Sequence, residues 1–264
     1  MNTIGLIGYG AMATYVAAQV RDSDWSVTHC IIRDGRQDAA QAAIGKTALL
    51  VSDAAEINAM PDLVVDCAGH QGLLAHGAEF LRRGVPVVSA SLGALADEKT
   101  YRQLEDAACA GETRLQLASG AIGGLDALAA ARIGGLNTVR YTGTKPPESW
   151  RGTPAEAATD LDTLDRPFSH FEGTARDAAL HYPRNANVAA AVALAGLGFD
   201  RTEVILIADP AAEGNIHAIS AAGKFGNFHF RITGNSLPDT PRTSALAAMS
   251  VVERIFRQRA LIVI

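Results

Sequence analysis

The sequence predicts an α/β protein: a doubly wound parallel sheet followed by a smaller α+β part with a mixed sheet. Three observations carry that prediction. A short apolar run enters a glycine turn at the N-terminus, strand and helix signals alternate through the first half, and the alternation breaks off after Ser119-Gly120. Strands separated by helical patterns of about ten to fifteen residues imply a parallel sheet with crossover helices.

The first half reads in order as follows. Ile4–Ile7 is a buried strand, Ala11–Val20 a helix, and Val27–Ile32 a strand rich in β-branched residues. Gln37–Ile44 is helical, Ala48–Val51 a weak strand, and Ser52-Asp53 opens a short helix. Leu63–Cys67 is a strand behind Pro61, and Gln71–Arg83 a helix stopped by Gly84, a residue suited to the left-handed position after a helix. Val85–Ser89 and Arg114–Ala118 are strands flanking the helix Asp97–Ala110.

Beyond Ser119 one helix, Leu125–Ile133, precedes strands at Val139–Thr144, Ser169–Gly173, Glu203–Ala208, His217–Ser220 and Asn227–Thr233. An alanine-rich helix over Pro183–Leu197 lies among them. Several strands with few helices indicate a largely antiparallel or mixed sheet. Thr240–Arg259 reads as a helix, with Thr240 as cap and Pro241 in the first turn.

Gly8-x-Gly10-x-x-Ala13 has the form of a dinucleotide-binding loop. The glycines permit a tight turn and close approach of the backbone to a pyrophosphate, and the first helical amides, at Ala11 and Met12, point at the phosphates. After the second strand comes Arg33-Asp34-Gly35-Arg36. An acid there reads a ribose 2′-hydroxyl, whereas arginine accommodates a 2′-phosphate; NAD and NADP both stay open, with Arg33 favouring NADP. Ala68 and Gly69 follow the fourth strand at the sheet edge where ligands lie, and their small size admits the nicotinamide half of a cofactor. His70 reads equally as a functional group or as a helix cap. The Ser119–Gly124 turn fits a ligand contact or a hinge, and Asn187 is a polar residue set into an apolar helix.

His217 stands apart from the other histidines, following Gly214-Asn215 at the start of a strand. Histidine exchanges protons near neutral pH, so it suits acid–base chemistry, although a lone histidine is as readily structural.

Composition narrows the classes. The 264 residues are 48% hydrophobic and 19% charged, as expected of a packed α/β protein. A net charge of −5 without a basic cluster argues against a nucleic-acid partner. No apolar run matches a membrane span, and the N-terminus lacks a signal-peptide pattern. The three cysteines are far apart with no CxxC spacing, so neither a disulfide framework nor a metal site is expected. The expectation is a cytoplasmic protein.

The chain as a whole resembles the L-aspartate dehydrogenases. The resemblance rests on Asp66-Cys67-Ala68-Gly69-His70, Ser91–Asp97, Ser119–Ala127, Tyr141–Pro147, Tyr182–Ala190, Ala208-Asp209-Pro210 and Gly214-Asn215-Ile216-His217, in order and with similar spacing. It implies a Rossmann-type domain over 1–119 completed by 238–264, a substrate domain over 120–237, and a homodimer. It also implies that Ala121 and Asn187 contact NAD or NADP and that His217 is catalytic. Lys145 and Arg184, within the shared segments, are candidates for the substrate's two carboxylates. The implied reaction is reversible oxidative deamination of L-aspartate through iminoaspartate to oxaloacetate and ammonia, the imine being a feed for NAD biosynthesis.

Three competing readings are a dihydrodipicolinate-type reductase, a dehydrogenase of another amino acid, and a non-catalytic NAD(P)H sensor. The first carries a paired histidine that this chain lacks.

Overall fold

The computed structural model describes residues 1–183, 185–238 and 240–263. These form two compact units. The first comprises Met1–Ala118 with the C-terminal segments 238–243 and 247 onward; the second is Ser119–Leu237 with Ser244–Leu246.

The first unit runs β1 (Asn2–Ile7), α1 (Ala11–Val20), β2 (Trp25–Ile31), α2 (Gln37–Ile44), β3 (Leu49–Val51) and β4 (Leu63–Asp66). It continues through α3 (His70–Gly72), α4 (Ala78–Arg82), β5 (Val87–Ser89), α5 (Glu98–Ala110) and β6 (Leu115–Leu117). All six strands are parallel in the order β3-β2-β1-β4-β5-β6, so the order reverses beside β1. In an open α/β sheet such a switch point leaves a crevice at the carboxyl ends of the strands.

The helix expected over Gln71–Arg83 is α3 and α4 joined by a wider π-helical turn, Leu73–Gly77. Asp97 caps α5 by accepting from the Thr100 N–H, as its position before the apolar stripe predicts.

The second unit contains α6 (Leu125–Gly134), β7 (Leu136–Lys145), α7 (Ala155–Ala158), β8 (Phe168–Thr174), α8 (Ala175–His181) and α9 (Asn187–Ala195). After these come β9 (Glu203–Ala208), β10 (Asn215–Gly223) and β11 (Gly226–Gly234). Its sheet is mixed, in the order β11-β10-β7-β9-β8, with β7 and β9 parallel and every other pair antiparallel. One face, carrying Val139, Tyr141, Val204, Leu206 and Ile219, is buried. Apart from Asn187, α9 is apolar; Val188 to Ala193 are buried, and its alanines let it lie close to α6 and β7.

Two further sequence readings change. The alanine-rich helix begins at Asn187, not Pro183, and ahead of it the Asn185 N–H donates to the Tyr182 carbonyl. Thr240 does not cap a helix. β12 (Ser236–Leu237) pairs with β13 (Thr240–Ser244), and α10 (Ala245–Arg257) starts only after that hairpin. Proline lacks an N–H but is tolerated in so short an edge strand, so Thr240-Pro241 imitates a helix start without making one. In α10, Val251, Val252 and Ile255 enter the same core as Ile4, Leu6, Val16 and Leu63 of the first unit.

Candidate active site

In the first unit the residues after β1, β2 and β4 gather at the carboxyl edge of the sheet. A cavity of about 780 Å³ there is lined by Gly8, Gly10, Arg33, Asp34, Ser52 and Ala68, among others. Gly8 has φ +85°, and a Cβ on it would stand 2.9 Å from that of Ala68, so the turn after β1 and the loop after β4 interlock only because Gly8 has no side chain. A Cβ at Gly10, in contrast, would meet nothing within 4 Å. Open space lies over the start of α1, which has no side-chain cap and no acid in its first turn. The free amides at Ala11 and Met12 and the positive helix end are the donors a pyrophosphate needs. The site therefore fits a dinucleotide. Met12's side chain packs on the core, leaving only its backbone for a ligand. Gly69, at φ +78°, turns the chain into α3, which His70 opens. Arg33 is exposed on the cavity wall and has no partner among the described residues.

Beneath this edge lies a network to which the sequence pattern assigns no role. The buried carboxylate of Asp66 accepts the hydroxyls of Ser89 and Ser91, at 2.7 and 2.6 Å, and the N–H of Ala68 at 3.1 Å. Burial pushes its pKa up, against those three hydrogen bonds. The network ties the ends of β4 and β5 together under Ala68.

The second unit holds the proton-transfer candidates. His217 is the third residue of β10, opposite Gly143 on β7, and only 3% exposed. Period-two alternation puts Tyr141, Gly143 and Lys145 on one face of β7, the face that carries His217 on β10. Tyr141 Oη lies 2.7 Å from His217 Nδ1. Burial, with the nearby charge of Lys145, lowers His217 to a pKa of about 4, while burial raises Tyr141. Both are therefore neutral at pH 7. In the tautomer that donates Nδ1–H to the phenol oxygen, Nε2 is left as a proton acceptor. Nε2 has no partner among the described residues.

Lys145 ends β7. Its Nζ donates to Asn185 Oδ1 at 2.7 Å and sits 5.2 Å from the centre of the Trp150 ring. Burial lowers its pKa to about 8. Among the described residues no carboxylate lies within ion-pair distance of it, so this cation awaits an anion.

Ala121 is buried in the turn before α6, and Asn187 is the first residue of α9 rather than one turn inside it. Arg184 lies outside the described residues. Sequence reasoning misses Tyr141 as a partner of His217, and it misses Trp150. The Tyr141-x-Gly143-x-Lys145 alternation is the available signal.

Comparison with known proteins agrees with this arrangement. Residues 126–258 match the family "aspartate dehydrogenase, C-terminal", and residues 8–118 match "homoserine dehydrogenase, NAD binding domain". An L-aspartate dehydrogenase of Ruegeria pomeroyi is 55% identical over 97% of this chain and 92% of its own length. The chain belongs to the aspartate dehydrogenase family. A second member, the L-aspartate dehydrogenase of a Polaromonas species, is 46% identical with both chains covered in full. The crystal structure of the Thermotoga maritima aspartate dehydrogenase shares the fold, with a TM-score of 0.78 at 24% identity over 100% of this chain and 99% of that one. The Rossmann-type parallel sheet and the mixed second sheet expected from the sequence are thus the architecture of the family.

Proposed function

We propose that this chain is an NAD(P)-dependent L-aspartate dehydrogenase, oxidising L-aspartate to iminoaspartate and, after hydration, to oxaloacetate and ammonia, and running the reverse reaction as well. The observation that carries the reading is a neutral imidazole anchored by Tyr141 on the same sheet face as a lysine that has no counter-ion among the described residues, in a member of this family. An acceptor for protons and a receptor for a carboxylate are what a dicarboxylic amino acid requires.

The nicotinamide cofactor, when bound, supplies the hydride acceptor. Gly8 and Gly10 would let the backbone approach its pyrophosphate, the amides of Ala11 and Met12 would hold the phosphates, and Ala68, Gly69, Ala121 and Asn187 would receive its nicotinamide half. Arg33 reads the adenosine ribose. His217 Nε2 takes a proton from the substrate ammonium, so that the α-hydrogen can leave with its electron pair, releases that proton to solvent, and then takes one from the water that adds to the imine. Collapse of the adduct returns that proton to the departing ammonia. Lys145 receives one substrate carboxylate, and Arg184 is the candidate for the other. The reading includes a cytoplasmic homodimer, which rests on the family resemblance; among the described residues no helix is long and apolar enough to cross a membrane.

A substrate screen tests the proposal. Purified protein with NADH or NADPH, given oxaloacetate plus ammonia, should consume the reduced nicotinamide faster than with any other 2-oxo acid. Equal or faster turnover of another 2-oxo acid overturns the substrate assignment. Cofactor binding without turnover of any of them identifies a sensor instead.

A further inference from the structure

Behind Lys145 stands a group of aromatic rings with no part in the chemistry described so far. Trp150 is fully buried, and its indole N–H donates to the Ile207 carbonyl of β9 at 3.1 Å, which fixes the ring plane. The Lys145 ammonium sits over that ring. The His170 ring meets the indole at 4.4 Å between centroids and 68°, and Tyr182 meets it edge-on at 6.0 Å and 87°. His170 and Tyr182 are joined in turn by a 3.2 Å contact between Nδ1 and the phenol oxygen.

Two details show that this cluster is placed rather than incidental. β8 shifts register between Ser169 and Phe171, making His170 the extra residue of a bulge, and bulges re-aim side chains. His170 Nε2 is sealed from solvent and has no hydrogen-bond partner among the described residues. The edge-to-face geometry with Trp150 is one in which an imidazole N–H finds an aromatic π face. The Tyr182 carbonyl then accepts the Asn185 N–H at 2.8 Å, and the Asn185 side chain accepts from Lys145. The wall and the amide that hold the ammonium are thus one connected structure.

We propose that Trp150, braced by His170 and Tyr182, is a positioning residue that holds the Lys145 ammonium at a fixed point to receive a substrate carboxylate. The inference rests on the reading of Lys145 as that receptor. A cation over an indole face in a desolvated site is held by the ring's electrostatic potential, and a lysine side chain without such a wall samples many rotamers. Among the described residues, the other titratable groups around Lys145 are His217 and Tyr141 on the sheet, His170 on β8 and Tyr182 after α8. Asp209 follows β9, and its carboxylate accepts the Ala211 N–H.

The test compares Trp150→Leu, Trp150→Phe and Lys145→Met in the full-length enzyme. Trp150→Leu should raise KM for aspartate about tenfold and Trp150→Phe about threefold, with kcat within about twofold and NADH affinity, read by fluorescence titration, unchanged. A purely structural role for the ring would disturb kcat and NADH affinity as well. In the wild type, KM for aspartate rises as Lys145 loses its proton near pH 8. Opening the wall to water should move that rise to higher pH. If Trp150→Leu fails to fold by circular dichroism, Trp150→Phe carries the test. Lys145→Met separates the two readings: an unchanged KM for aspartate there overturns the receptor assignment itself. A raised KM in Lys145→Met, with wild-type KM and pH profile in the folded Trp150 variants, overturns the wall alone.

Discussion

Tyr141 Oη and His217 Nδ1 lie 2.7 Å apart on the buried face of the second sheet, joining strands whose residues are 76 positions apart in the chain. The phenol fixes the orientation of the imidazole, so its removal should cost catalysis without emptying the site. We expect Tyr141→Phe to lower kcat about tenfold, the worth of one orienting hydrogen bond. His217→Ala should lower it by about 10²–10⁴, the usual contribution of a general base. Steady-state kinetics beside NADH titration checks both, because cofactor affinity should change little in either variant. Near-normal turnover of His217→Ala would remove the imidazole from the mechanism.

Gly143 faces His217 across the β7–β10 pair and leaves room for the phenol. A Cβ on it would stand 2.7 Å from Tyr141 Oη and 3.3 Å from Leu206 Cδ2. Gly143→Ala should therefore push the hydroxyl off the imidazole, lowering kcat about as much as Tyr141→Phe and costing about 1–3 kcal/mol through overpacking. The double variant is diagnostic. With the hydroxyl already gone, the added methyl has less to displace, and kcat should fall no further than in Tyr141→Phe. Additive losses would show that Gly143 acts elsewhere.

Acid should weaken the fold through two histidines of the second unit. Burial lowers both His217 and His170 to a pKa of about 4. Between about pH 6.5, where an unfolded histidine titrates, and pH 4, the unfolded chain binds the extra protons. Stability therefore falls as pH drops through that window and is intact above it. For His217, nearly sealed in the core, the full effect is about 3 kcal/mol. Thermal melts from pH 7 to 4 should show Tm falling, with a shallower fall in His170→Phe, which cannot take up that proton. Parallel wild-type and variant slopes would refute the assignment.

Much of the fold is legible in the sequence because it depends on local pattern. Ala11–Val20, Gln37–Ile44 and Glu203–Ala208 have the same bounds in sequence and structure, since apolar spacing and flanking glycines or caps decide such segments. α8 escapes the pattern. Thr174 accepts the Asp177 N–H to cap it, but strand β8 runs directly into that cap with no turn residue to mark the change. The site is legible by residue type and not by partnership. His217 and Lys145 stand out as chemistry-bearing side chains, whereas Tyr141 joins His217 through the pairing of β7 with β10, and no spacing rule records that pairing. The placing of His170 depends on a one-residue register shift in β8, and periodicity fixes an average face, not a bulge.

On the proposed reading cofactor preference turns on Arg33, which follows β2 and lines the cavity beside Asp34 and Ser52. Arg33 and Asp34 make opposite demands: a guanidinium favours a 2′-phosphate, while a carboxylate accepts from a 2′-hydroxyl and repels the phosphate. Arg33 has no partner to neutralise it among the described residues, so its charge is available to the ligand. Ser52, in contrast, already donates to Glu56 at 2.6 Å. We therefore expect wild-type protein to bind NADPH at least as tightly as NADH. Arg33→Ser should weaken NADPH about tenfold or more, the scale of a lost charge-assisted hydrogen bond, while NADH changes within about twofold. Fluorescence titration of both cofactors against both proteins decides this without turnover. Equal weakening of the two would mean that Arg33 contacts the adenosine they share, leaving the 2′ position to Asp34 and an NAD preference.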